Sequence, residues 1–96
     1  MKIIWTKTAR VSFEAILSYL KENFSEKTVE EFIDETDKKI DQVKKFPESG
    51  RESSKVKGVR KVNIGKRTSL YYRVKSKFIS ILSFFDTRQD PDKSQY

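Results

Sequence analysis

Two residue types are missing altogether: the 96-residue chain contains no cysteine and no histidine. Without Cys there is no disulfide and no thiol chemistry. Without His the commonest metal ligand and the commonest general base near neutral pH are both absent. A zinc site or a Ser-His-Asp arrangement is therefore excluded, and no metal or cofactor is expected. Any catalysis falls to Lys, Arg, Tyr, Asp or Glu with pKa values moved by their surroundings. Glycine is scarce too: only three, widely spaced, so no phosphate loop or dinucleotide fingerprint forms. No apolar run approaches the ~20 residues of a membrane span, and no signal-peptide apolar stretch follows Met1. These absences predict a cytoplasmic protein with no membrane partner.

What the chain has in quantity is charge, unevenly spread. Residues 1–48 carry 9 Lys/Arg against 10 Asp/Glu, and residues 49–96 carry 12 against 4. A near-neutral half is thus joined to a half with a net charge of +8, within a total of +7. Such asymmetry points to an acidic partner, whether nucleic acid or polypeptide. The length suits one domain spanning residues 1–96, with a modest core. Seven Phe, four Tyr and one Trp supply much of that core and argue against disorder.

Hydrophobic spacing sets the expected elements. Ile3, Ile4 and Trp5 are too short a run for a helix and read as a strand. Thr6 or Thr8 then caps a helix over roughly 8–23, whose apolar stripe is Ala9, Phe13, Ile16, Leu17, Leu20 and Phe24. Ser25 caps a second helix, with Val29, Phe32, Ile33, Thr36, Ile40 and Val43 as its stripe, ending before Pro47. The short break between them predicts an antiparallel hairpin. Residues 48–58 read as a loop, and the polar stretch from Asp86 to Tyr96 as a tail. Between them lie three strands: Val59 to Ile64, Ser69 to Val74 and Phe78 to Phe85, the last apolar enough to lie inside a sheet. The expected fold is α+β, in the order β-α-α-β-β-β, with a mainly antiparallel sheet and the helical hairpin on one face.

Candidate binding residues come from the basic half: Lys55, Lys57, Arg60, Lys61, Lys66, Arg67, Arg73 and Arg88, with Tyr71, Tyr72 and Tyr96 interleaved. Arginine offers bidentate contacts to phosphate or carboxylate, and tyrosine offers stacking. Taken one by one, these are ordinary solvated strand and loop residues; the excess of cations as a set points to function. Arg88 either binds a partner at the end of the last strand or pairs locally with Asp86 or Asp90. The acids from Glu30 to Asp41 fit the exposed face of the second helix.

Several segments in order resemble the RelE/ParE superfamily of toxins from bacterial type II toxin–antitoxin systems, nearest the ParE-like branch. They are Ile4-Trp5-Thr6 with Ala9, Phe46-Pro47-Glu48-Ser49-Gly50-Arg51, Gly58-Val59-Arg60-Lys61-Val62, Tyr72-Arg73-Val74, and Ile79 through Arg88-Gln89-Asp90-Pro91. The resemblance implies the same strand–helix–helix–three-strand fold. It also implies growth inhibition, a role in plasmid stabilisation, and a hetero-oligomer with a cognate acidic antitoxin that folds over the toxin. ParE-like members block DNA gyrase by binding, and the contact residues implied here are Arg60, Lys61, Arg73 and Arg88. RelE-like members instead cut mRNA on the ribosome, and the nuclease set implied here is Lys57, Arg60, Arg88 and Tyr96. This chain has Ser69 where RelE-like members place an arginine, and Asp86 where some carry histidine, which favours binding over catalysis. A third reading, a plain nucleic-acid-binding module, rests on charge alone.

Overall fold

Helix formation follows the apolar spacing and two hydroxyl caps. The computed structural model describes residues 1–88 and 96. Strand β1 covers Lys2–Trp5, helix α1 Lys7–Asn23 and helix α2 Glu26–Lys45. The Thr6 hydroxyl accepts from the Ala9 amide at 3.1 Å, and the Ser25 hydroxyl from the Thr28 amide at 3.3 Å. Each satisfies one of the amides that a helix N-terminus leaves without a partner. Thr6, not Thr8, is therefore the first cap.

The remaining strands are β2 at Arg51–Glu52, β3 at Arg60–Ile64, β4 at Thr68–Val74 and β5 at Phe78–Asp86. They form one five-stranded sheet in the order β1-β5-β4-β3-β2, with β1 parallel to β5 and the other pairs antiparallel. The helical hairpin covers one face. Strand β5 lies inside the sheet, as its low polarity predicts. Two expectations about the strands need correction. The loop over residues 48–58 contains the two-residue strand β2, because Arg51 and Glu52 pair with Lys61 and Arg60. The last strand also reaches Asp86, which is fully buried rather than part of a polar tail.

Ala9, Ile16 and Leu20 of α1 and Val29, Phe32, Thr36 and Val43 of α2 are buried against Val62, Ile64, Leu70, Tyr72, Ile79, Ile81 and Phe84. Phe24 and Ile33, expected in the stripes, are exposed at 45% and 37%. Phe24 is an extended C-cap outside the helical turn, and Ile33 follows Phe32 by one position, a rotation of about 100° off the stripe. Trp5, Phe13, Phe32 and Phe84 make an aromatic cluster with ring centroids 5.0–5.5 Å apart.

A bulge in β5 keeps that core continuous. Tyr71 pairs with Ser83 but Tyr72 pairs with Ile81, so Leu82 has no partner on β4. The extra residue shifts the alternation, and Ile79, Ile81, Phe84 and Asp86 all reach the helical side. Helix α1 satisfies the backbone groups there. The Thr6 hydroxyl donates to the Ile81 carbonyl at 2.9 Å, with the Leu82 carbonyl at 3.1 Å, and the Ser12 hydroxyl accepts from the Phe84 amide at 2.9 Å.

At the far side of the sheet, the Tyr72 hydroxyl donates to the Pro47 carbonyl at 2.8 Å and accepts from the Gly50 amide at 2.9 Å. Burial pushes the phenol pKa up, against the opposing pull of the Gly50 bond, Ser49 and Arg60. A β-carbon at Gly50 would collide with the Tyr72 hydroxyl and lie 2.8 Å from its ring carbon Cε1. Tyr72→Phe is expected to cost about 1–3 kcal/mol through two buried groups left unpaired. Gly50→Ala is expected to cost a similar amount, about 1–3 kcal/mol, through overpacking. Chemical denaturation should show the double variant to be more stable than the sum of the single losses, because deleting the hydroxyl relieves the collision.

Candidate functional site

The sheet sends its basic residues to three separate places. At the start of β3, Arg60 is half-buried and turned inward. Its guanidinium donates to the Gly50 carbonyl at 2.7 Å and the Glu48 carbonyl at 3.2 Å, with the Glu52 carboxylate 3.5 Å away. Arg60 thus closes the loop that Tyr72 holds from the other side. Lys57 stands exposed in the loop before β3.

At the opposite end, Arg88 follows β5 and turns back onto Asp86. The Asp86 carboxylate has no exposure; it accepts from the Arg88 amide and Nε, both at 2.8 Å, from the Arg88 terminal nitrogen, and from the Thr68 hydroxyl at 2.8 Å. Burial alone would push its pKa up. The bonds from Arg88 and Thr68, with the Arg88 charge, outweigh that and hold the carboxyl below the ordinary aspartate value. The bond to Asp86 in turn raises the Arg88 pKa. The guanidinium carbon also lies 5.9 Å from the Tyr19 ring centroid and 5.4 Å from that of Phe24, within cation–π range. Of the two partners open to Arg88 from the sequence, Asp86 is the one observed; Gln89, Asp90 and Pro91 lie outside the described residues.

The third place is the sheet face away from the helices. Register puts Arg51, Lys61 and Tyr71 in one row across β2, β3 and β4, with Arg73 two residues further along β4. Tyr71 and Tyr96 meet with ring centroids 5.2 Å apart, and the Ser53 hydroxyl donates to the Tyr96 carbonyl at 2.6 Å. The Arg73 guanidinium lies over Gly58, whose φ of +82° suits glycine. Most other cations of the second half, Lys55, Lys57, Lys66, Arg67, Lys75 and Lys77, sit in loops and turns instead of on this face. Ser69 lies one step from Tyr71 on the same side, opposite Asn63.

Arg60 and Arg88 are not brought together. Arg60 faces Tyr72 and Asp86 faces Thr68, so the two ends are four β4 residues apart, roughly 13 Å. Both arginines are engaged within the chain. Lys61 and Arg73 enter no ion pair among the described residues. The pocket beside Arg88, about 540 Å³, runs between α2 and the β3–β4 turn, with Glu31, Asp34 and Glu35 on one wall and Lys66 and Arg67 on the other. Sequence reasoning left the Asp86–Thr68 contact unread; its only signal was an acid directly after an apolar strand and two residues before an arginine.

A family model described as ParE toxin of the type II toxin–antitoxin system, parDE, matches residues 3–91. The chain belongs to this family. It is a toxin of the type II toxin–antitoxin class. Among solved structures it is similar to a chain of the chromosomal ParDE TA system from P. aeruginosa, at 23% identity and a TM-score of 0.76 over 90% of this chain and 95% of that one. It is also similar to a YoeB/ParE toxin from Agrobacterium tumefaciens, at 14% identity and a TM-score of 0.65 over 90% and 98%. Both likenesses bear on the fold, which is the α+β arrangement expected from the sequence. No curated protein sequence matches this chain at a significant level.

The Asp86 site sets a pH dependence of the toxin's stability. A carboxyl lowered on folding stabilises the fold above its unfolded value of about 4 and loses that contribution as pH falls through the folded value. Arg88→Ala leaves the buried Asp86 carboxylate with the Thr68 hydroxyl and the residue-88 backbone amide but no cation, and is expected to cost about 3 kcal/mol near neutral pH, at the lower end for breaking a buried pair because that amide remains and Arg88 keeps some solvent access. Denaturation from pH 7 down to pH 3 should show the variant's deficit shrinking as Asp86 protonates.

Proposed function

We propose that this ParE-family toxin acts by binding DNA gyrase in the cytoplasm, without chemistry of its own, and that a cognate acidic antitoxin neutralises it. The observation that carries this reading is the state of the two arginines a nuclease would need. Phosphoryl transfer requires cations converging on one phosphate and held ready for its developing charge. Arg60 is spent on two backbone carbonyls, and Arg88 on a buried carboxylate at the other end of the sheet. Lys57 and Tyr96 accompany neither arrangement with a shared focus. Of the four contact residues that the resemblance implies, Lys61 and Arg73 remain for the target on the open face, with Arg60 and Arg88 holding the fold that presents them.

The acidic antitoxin follows from the same electrostatics. A half-chain with a net charge of +8 favours an anionic polypeptide, speeds its encounter and is screened by salt. In a supercoiling assay with purified gyrase, the toxin should inhibit, and an equimolar amount of its antitoxin should restore activity. Lys61→Glu with Arg73→Glu should weaken inhibition about tenfold or more with little change in melting temperature. Full supercoiling at large molar excess of toxin would remove the gyrase reading. Ribosome-dependent cleavage seen by primer extension, lost in Arg60→Ala, would replace it with the nuclease one.

A further inference from the structure

The most exposed large apolar side chain is Phe46, at 65%, and it sits in one of the most heavily hydrogen-bonded turns of the protein. Its own amide donates to the Gln42 carbonyl at 2.8 Å, and its carbonyl accepts from Ser49 at 2.9 Å. Tyr72 bonds the Pro47 carbonyl and the Gly50 amide, and Arg60 bonds the Glu48 and Gly50 carbonyls. Six bonds therefore fix a turn whose aromatic tip is left in solvent. Folding alone gives no reason to expose Phe46, since removing an aromatic ring from water is favourable. A rigid exposed aromatic is instead what a binding anchor needs, because little ordering entropy remains to be lost on association.

The surroundings specify the partner. Phe46 and Pro47 line an open cavity of about 560 Å³ with Met1, Val74, Lys45, Glu48 and Ser49. Its apolar wall can take one or two large side chains. Around it lie exposed lysines from three elements. Lys44 and Lys45 end α2, Lys75 and Lys77 form the β4–β5 turn beyond Val74, and Lys2 pairs in register with Phe78 beside that turn. Glu48 is the one acid in the lining. A second copy of this chain is a poor occupant, because its own lysine rim would meet the same charge.

We propose that the Phe46 patch is a docking site for an acidic polypeptide segment carrying a large apolar anchor, the segment of the antitoxin itself. This rests on the toxin–antitoxin reading above and adds a surface that reading leaves open, on the opposite face of the sheet from Lys61 and Arg73. The cavity receives the apolar anchor, and Lys2, Lys44, Lys45, Lys75 and Lys77 receive flanking carboxylates. Arg60 and Tyr72 serve as positioning residues that hold the turn.

The test is calorimetric titration of the full-length toxin with the full-length small acidic protein encoded beside it. Phe46→Ser should weaken binding about 30-fold, as for a central interface anchor, with the melting temperature unchanged because the side chain is already in solvent. Lys45→Glu with Lys75→Glu should weaken binding and flatten its salt dependence. Gyrase inhibition by Phe46→Ser should persist, while rescue by antitoxin becomes inefficient. Affinity within threefold of wild type in both variants would overturn the docking site while leaving the toxin reading intact. No binding by wild type would overturn both. A single-stranded oligonucleotide that loses affinity in Phe46→Ser, with antitoxin affinity unchanged, would overturn the peptide in favour of nucleic acid.

Discussion

A carboxylate with no access to water must be matched by fixed donors, and Asp86 meets that condition at the end of the last strand. Its partners come from three points: the Arg88 backbone, the Arg88 guanidinium and the hydroxyl of Thr68 on the neighbouring strand. The match ties the end of β5 to the start of β4 and turns the chain back over α1, where Tyr19 and Phe24 flank the guanidinium. Breaking it would leave a buried charge costing several kcal/mol, a large part of a small domain's total stability. The same logic governs the opposite end, where Arg60 and Tyr72 satisfy the carbonyls and amide of the turn after α2. Two arginines that look available in the sequence are thereby committed to the fold.

This commitment changes where function can reside. A basic residue already paired within its own chain offers less to a partner, because new contacts must first replace the old ones. Among the described residues, Lys61 and Arg73 on the open sheet face and Lys66, Arg67, Lys75 and Lys77 on the turns at its ends enter no ion pair. A surface of this kind suits polypeptide partners with complementary charge and apolar anchors. Family membership makes the chain a type II toxin, and the disposition of these arginines is what supports the proposal that it acts by binding.

Both helices, the Ser25 cap and the interior position of β5 were legible in the sequence, and the first cap was narrowed to Thr6 or Thr8, because periodicity and capping are local properties. Features that depend on tertiary pairing were not. Strand β2 is two residues long and exists only because β3 lies beside it. The bulge at Leu82 cannot be read from an apolar run in which either alternation looks acceptable. Asp86 read as the start of a polar tail, because burial of an acid is visible only once its donors are placed. Arg88 was legible as a residue of interest but not as an internal one, since a local pair and a partner contact leave the same trace in sequence. Arg60 was singled out by resemblance and by charge, neither of which distinguishes a contact from a brace.

The most direct measurement of this account is hydrogen exchange at the arginine Nε–H groups, followed by nitrogen-15 NMR on the isolated toxin. The Arg88 Nε–H, bonded to a fully buried carboxylate, should exchange far more slowly than that of Arg73 on the open face. An Arg88 Nε–H exchanging as fast as Arg73 would mean that the ion pair does not hold the end of β5, and the division between bracing and binding arginines would fall with it.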